Sequence, residues 1–194
     1  MYRPLSISEK KLRISKIEKH FTEIMKLLDL DVTDESIKDT PKRVAKMYFN
    51  EVFSSLHNKP PKITTFPNKG YDQILVEKNI TINSYCEHHF VPFVGTCHIA
   101  YLPGSRVIGL SKLIRVAQYF SYKPQLQERL TTEIAEYLIK VLKTEDVAVI
   151  INCQHFCCKV RGAKDANSST VTSYMGGIFR NVAAKAELLK LIDM

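Results

Sequence analysis

The chain has no apolar stretch approaching the roughly 20 residues needed to cross a bilayer as a helix. Its opening segment, MYRPLSISEKKLRISKIEKH, contains no apolar signal-peptide core. These two absences lead to the expectation of a cytoplasmic protein with no membrane partner. Runs of five or six basic residues are missing, as are RGG-like tracts. That weakens nucleic-acid binding, and no nucleic-acid partner is expected. No internal repeat or low-complexity tract occurs. Cysteine is scarce and odd in number, at Cys86, Cys97, Cys153, Cys157 and Cys158. An odd count without a secretion signal argues against a disulfide framework and for reduced thiols or metal ligands.

What is present is ordinary for a globular domain. The 194 residues are 45% hydrophobic and 25% charged, enough for one core and a helical appendage. The formal charge of +8 has two readings. One is a lysine-rich solvated surface, and the other is an anionic partner such as a phosphorylated small molecule.

Residues 8–29 are predicted to form an amphipathic helix, with Ile14, Ile17, Phe21, Ile24 and Leu28 at three- and four-residue steps. Thr40-Pro41 reads as an N-cap and first-turn proline opening a second helix. The segment 57–70 holds three prolines and a glycine and reads as a linker. The boundary is set there, giving a helical segment over 1–70 and a second domain over 71–194. Residues 74–83 and 91–102 read as strands. Ser111 is expected to cap one helix and Pro124 to open a longer one, with Leu126, Leu130, Ile134, Leu138 and Leu142 in register. Residues 146–152 form a short buried strand, 170–173 belong to another, and 183–192 close the chain as a helix. The order β-β-α-α-β-β-α implies an α+β fold, an antiparallel sheet with helices packed on one face. Such a sheet has edges that oligomerisation can cover.

The densest chemistry lies in SYCEHHF. Cys86 and His89 make a C-x-x-H pair, and a thiolate with an imidazole suits Zn²⁺. A pair is not a site, and a buried thiol beside surface histidines explains the same residues. The other cluster, CQHFCC at 153–158, follows the strand DVAVIIN. Two strand ends converging would supply a third ligand, and three protein ligands plus water is the catalytic zinc arrangement. Cys97 and His98 are strand neighbours that point to opposite faces, so joint ligation there is not expected. Glu87 reads better as a contact that orients a histidine than as a ligand. Lys112 and Arg115 share a face at a helix start, and read either as a solvated face or as a phosphate site. Arg161 and Arg43 are further cationic candidates. Gln127-Glu128 opens the long helix, either complementing its dipole or offering a carboxylate to a guanine edge.

SYCEHHF, VIGLSKLIR, PQLQERLT, HFCCKVRG and TPKRVAKMY, in their positions along the chain, resemble GTP cyclohydrolase I. The resemblance runs from about residue 15 to the C-terminus. It implies a tunnelling fold preceded by a helical segment, in a homodecamer of two pentamers with active sites between subunits. It implies hydrolysis of GTP to formate and 7,8-dihydroneopterin triphosphate, the entry to folate and tetrahydrobiopterin synthesis. It further implies Zn²⁺ held by Cys86, His89 and Cys157, with His88 and His155 catalytic. Glu128, with Gln127 beside it, would bind guanine. Ser111, Lys112, Arg115 and Arg161 would bind triphosphate, with Arg43 from a neighbouring subunit. The H-aromatic-C alignment selects Cys157, while Cys158 stands where many relatives carry an apolar residue and is the alternative third ligand. Two competing classes remain. A zinc-bearing RNA- or protein-binding module would leave the histidines beyond the ligands unexplained. A relative acting on another purine or pterin would lack the C-E-H-H-F and H-F-C combination.

Overall fold

The computed structural model describes residues 5–194. It divides into two compact units, Met1–Lys59 and Pro60–Met194.

The first unit is helical. Helix α1, Ile7–Leu27, opens at Ser6, whose hydroxyl accepts from the Glu9 N–H while the Glu9 carboxylate accepts from the Ser6 N–H. This reciprocal pair satisfies two backbone donors that the helix itself leaves free. The buried position on α1 is Met25, whereas Ile24 and Leu28 are 48% and 64% exposed. The apolar stripe therefore runs from Ile14 and Phe21 to Met25, a four-residue step, and not to the flanking Ile24. Helix α2, Thr40–Met47, is preceded by Asp39, one residue earlier than the expected cap at Thr40, with Pro41 in its first turn. The helical path continues as a π-helical turn over Tyr48–Val52 and a 3₁₀ turn over Ser54–Leu56. Phe49 and Phe53 are buried there.

The second unit is built on strands β1 (Thr65–Pro67), β2 (Leu75–Cys86), β3 (Pro92–Tyr101), β4 (Arg106–Ile108), β5 (Pro124–Gln125), β6 (Val147–His155) and β7 (Thr170–Met175). Helices α3 (Leu110–Ser121), α4 (Gln127–Leu142), α5 (Phe156–Lys159) and α6 (Val182–Asp193) connect and cover them. The main sheet has the order β5-β2-β3-β6-β7, and only the β5–β2 pair is parallel. The expected β-β-α-α-β-β-α order is β2-β3-α3-α4-β6-β7-α6, an α+β fold. β1 and β4 form a separate two-stranded ladder, so part of the proline-rich segment is ordered as strand.

Alternation decides the two faces. Phe93, Cys97, Ile99 and Tyr101 of β3 and Val147, Val149, Ile151 and Cys153 of β6 point into one core. Leu113, Val116 and Ala117 of α3 and Leu130, Ile134 and Leu138 of α4 close that core. On the other face, Ala100 and Ala148 meet Phe179 and Leu188, so α6 covers part of the reverse side. β2 has a bulge between Glu77 and Ile80, with Asn79 in the left-handed region at φ 59°. β3 and β6 approach so closely at Gly95 that a Cβ would lie 1.9 Å from the Asn152 carbonyl oxygen. In this unit two helix starts differ from expectation. Gly109, not Ser111, precedes α3, and Pro124 lies in β5, with Leu126 preceding α4. No described helix is long and apolar enough to cross a membrane.

Candidate metal centre

Cys86 ends β2, and the chain turns back through Glu87, His88 and His89. The Cys86 carbonyl accepts from the Phe90 N–H at 2.8 Å, and the Cys86 N–H donates to the Val91 carbonyl at 3.0 Å. Phe90 takes φ 52°, which lets the chain reverse into β3. The turn brings His89 Nδ1 to 4.0 Å from Cys86 Sγ. The C-x-x-H spacing is therefore closed by local backbone geometry.

Cys157 arrives from a different strand. Phe93 of β3 stands opposite both Ser84 of β2 and His155 of β6. The ends of β2 and β6 therefore flank the same point of β3. Cys86 lies just beyond Ser84, and Cys157 just beyond His155 in α5. The ligand atoms of Cys86, His89 and Cys157 all lie within 4.8 Å of one another. Tetrahedral zinc bonds of about 2.0–2.3 Å separate such donors by about 3.6–3.8 Å. Closing the group around an ion thus takes movements of about one ångström. The donor set, two thiols and an imidazole, is one that suits a borderline-soft ion. Without a cation, burial pushes the Cys157 thiol up to about 11, and the neighbouring Cys158 and Cys86 thiols push it further the same way. A bound divalent cation opposes both effects, because coordination deprotonates a thiol. Cys158 Sγ lies 3.9 Å from Cys157 Sγ, is exposed, and falls outside the group of three.

His155 stands at the end of β6 with its ring stacked on Phe93, centroids 4.8 Å apart and planes 10° apart. Its Nε2 is 2.7 Å from Oε1 of Gln127. Burial lowers its pKa below the ordinary histidine value, and the Glu128 carboxylate opposes that shift. His88 is exposed, its ring 6.2 Å from that of His89 and nearly perpendicular to it.

Gln127, the first residue of α4, is only 1% exposed. Its amide nitrogen faces the Ile151 carbonyl at 3.0 Å, the Thr170 carbonyl at 2.8 Å and Thr172 Oγ1 at 3.1 Å. The side chain expected beside Glu128 as a substrate contact is thus engaged within the protein. Glu128 itself is exposed. Ser111 and Arg115 are exposed and Lys112 is half-buried on the first turns of α3, where no side chain caps the helix. Arg161 is exposed in the turn after α5. Arg43 belongs to the first compact unit, exposed and 3.9 Å from Asp39.

Glu87 does not orient a histidine in this structure. Its carboxylate pairs with the Arg129 guanidinium, which also donates to Gln125 Oε1 at 2.8 Å and to the Pro124 carbonyl at 3.2 Å. The cause is the parallel β5–β2 pairing, which sets Gln125 opposite Cys86 and brings the start of α4 beside the turn. Phe93 and Arg129 are the site neighbours that motif reading missed. Phe93 becomes visible only once the β3–β6 register is known, and nothing in the local sequence marks Arg129.

The remaining thiols are of another kind. Cys97 and Cys153 are 0% and 1% exposed, and burial raises both pKa values, that of Cys153 to about 12. Reactivity follows thiolate character and exposure. In the folded, metal-loaded protein Cys158 is expected to react first with an aromatic disulfide reagent. Cys97 and Cys153 should react only after denaturant is added, as thiol counting by absorbance would show.

Fold and site define a class: an α+β protein whose central sheet presents two thiols and an imidazole to one point, with a half-buried histidine alongside. Residues 17–193 match the family model described as GTP cyclohydrolase I. The chain is 50% identical over 184 residues to GTP cyclohydrolase 1 of Flavobacterium johnsoniae, covering 94% of this chain and 82% of that one. It is 49% identical over 178 residues to GTP cyclohydrolase 1 of Shewanella denitrificans, covering 90% and 82%. The chain belongs to the GTP cyclohydrolase I family, and its α+β architecture with an N-terminal helix agrees with the tunnelling fold of that resemblance.

Proposed function

We propose that this enzyme converts GTP and water to formate and 7,8-dihydroneopterin triphosphate with a zinc ion held by Cys86, His89 and Cys157. The observation that carries the reading is the convergence of these three ligand atoms within 4.8 Å on a chain of this family. Zinc bound there would supply Lewis-acid activation of water near neutral pH.

The protein groups have separate tasks in this proposal. His155, half-buried with its pKa lowered by burial, transfers protons at the purine ring. His88, exposed beside the ligand turn, assists ring opening and release of formate. After formate leaves, the ribose rearranges and the ring closes as a pterin. Glu128 accepts the N–H groups of the guanine edge. Ser111, Lys112, Arg115 and Arg161 hold the triphosphate, aided by the positive end of α3. Anchoring both ends of the nucleotide fixes the base relative to the metal, which lowers the entropic part of the barrier. Arg43 completes the phosphate site from a neighbouring subunit in a decamer of two pentamers. The domain over 71–194 carries the chemistry in this reading, and the helical segment contributes to assembly. The enzyme works in the cytoplasm and feeds folate or tetrahydrobiopterin synthesis.

The test is direct. Zinc-loaded protein is incubated with GTP, and both formate and the fluorescent pterin formed on oxidation are measured. Stoichiometric formate and pterin are expected. Absence of formate while the metal stays bound would overturn the proposal.

A further inference from the structure

We infer that Gln127 is a positioning residue for His155. Its amide holds the imidazole in the tautomer protonated at Nε2, leaving Nδ1 as the atom that exchanges protons. The inference rests on the reading of His155 as the proton-transfer group.

The orientation of the amide decides the tautomer. An amide has one accepting end and one donating end, and coordinates alone do not label them. Here the partners label them. One end of Gln127 faces the carbonyl oxygens of Ile151 and Thr170 at 3.0 and 2.8 Å, groups that can only accept. That end must be the NH₂. The reverse orientation would set the amide oxygen against two carbonyl oxygens in a buried place, with no hydrogen between them. The end near His155 is therefore the carbonyl oxygen, which can only accept. At 2.7 Å from it, His155 Nε2 must carry the hydrogen.

The anchors belong to the sheet. Ile151 sits in β6, and Thr170 and Thr172 in β7. Thr172 Oγ1 also meets Thr131 Oγ1 at 2.7 Å, and Thr131 Oγ1 donates to the Gln127 main-chain carbonyl at 2.8 Å. The side-chain amide is thus held directly by the sheet edge, and Thr131 of α4 joins the same network through Thr172. Phe93 confines the ring plane by stacking, and Gln127 confines its rotation within that plane. With Nε2 committed to the protein, only Nδ1 remains to meet a substrate atom.

The test uses the full metal-loaded chain. Histidine-selective ¹⁵N labelling and solid-state NMR, with His155→Gln to assign the resonance, read the tautomer in the wild type. The expected result is a hydrogen-bonded proton on Nε2 and an unprotonated Nδ1. A proton on Nδ1 overturns the inference, whatever any variant does. Gln127→Met removes the acceptor at similar volume. It should lose the hydrogen-bonded Nε2 signal and keep its metal. Its kcat should fall about 10–100-fold with KM for GTP nearly unchanged, the scale of losing a partner that orients a functional histidine. A raised KM with unchanged kcat would instead make Gln127 a substrate contact and overturn the inference. Should Gln127→Met not fold, the wild-type resonance decides. Turnover retained in His155→Ala would remove the proton-transfer role and leave the tautomer result intact, so the two failures are separable.

Discussion

Cys157→Ser is expected to empty the metal site, whereas Cys158→Ser is expected to retain it. The two sulfurs are sequence neighbours 3.9 Å apart, yet only Cys157 joins Cys86 and His89 within 4.8 Å. A serine hydroxyl is a poor zinc ligand, and two remaining donors cannot hold the ion in a tetrahedral site open to solvent. Affinity should drop by more than the 10–100-fold that loss of an orienting partner costs. Zinc measured by atomic emission after dialysis would read this directly, and GTP turnover should follow the metal. Cys158→Ser should hold one zinc per chain. The opposite pair of results would move the third ligand by one residue along α5.

His155→Ala should separate metal from chemistry. The imidazole is not in the ligand group, so zinc content is expected to match that of the wild type. Turnover should fall by about 10²–10⁴, the usual contribution of a positioned acid or base. Truncation also leaves the Phe93 ring without its stacking partner, so a stability loss could imitate a chemical one. His155→Gln keeps a planar polar group in place and controls for this. Near-native thermal stability with low turnover in His155→Gln would attribute the loss to proton transfer. Retained turnover in either variant would overturn the assignment.

The large elements were legible because they are periodic. The alternation of β2, β3 and β6 and the three-to-four steps of α3 and α4 are written in apolar residues that make one core. The C-x-x-H pair was legible because a four-residue turn closes it locally. Other features depend on distant pairing. β1 and β4 are three residues each and exist only through their mutual ladder, so the prolines around β1 read as linker. Gly109 precedes α3 because its N–H is held by the Thr64 carbonyl, a contact between remote segments. The resemblance favours Cys157 over Cys158, but the physical reason, that only Cys157 comes near Cys86 and His89, depends on the direction in which α5 leaves β6. The Arg129 partner of Glu87 follows from a parallel two-residue pairing that no local pattern announces. Gln127 was found by motif, but its engagement with His155 came only with the β6–β7 edge.

β2 carries one residue more than its neighbour needs, and the site depends on that surplus. Leu75 faces Tyr101, and Ile80 faces Cys97, with Lys78 and Asn79 together opposite His98. Before the bulge the odd-numbered side chains of β2 share the face of Tyr101. After it the even-numbered ones do, and Ile80, Ile82, Ser84 and Cys86 are the buried positions. A regular strand would reverse this parity and aim Cys86 at the face away from α3 and α4. The thiol's direction is therefore a matter of phase, set upstream by an asparagine that takes no part in the chemistry.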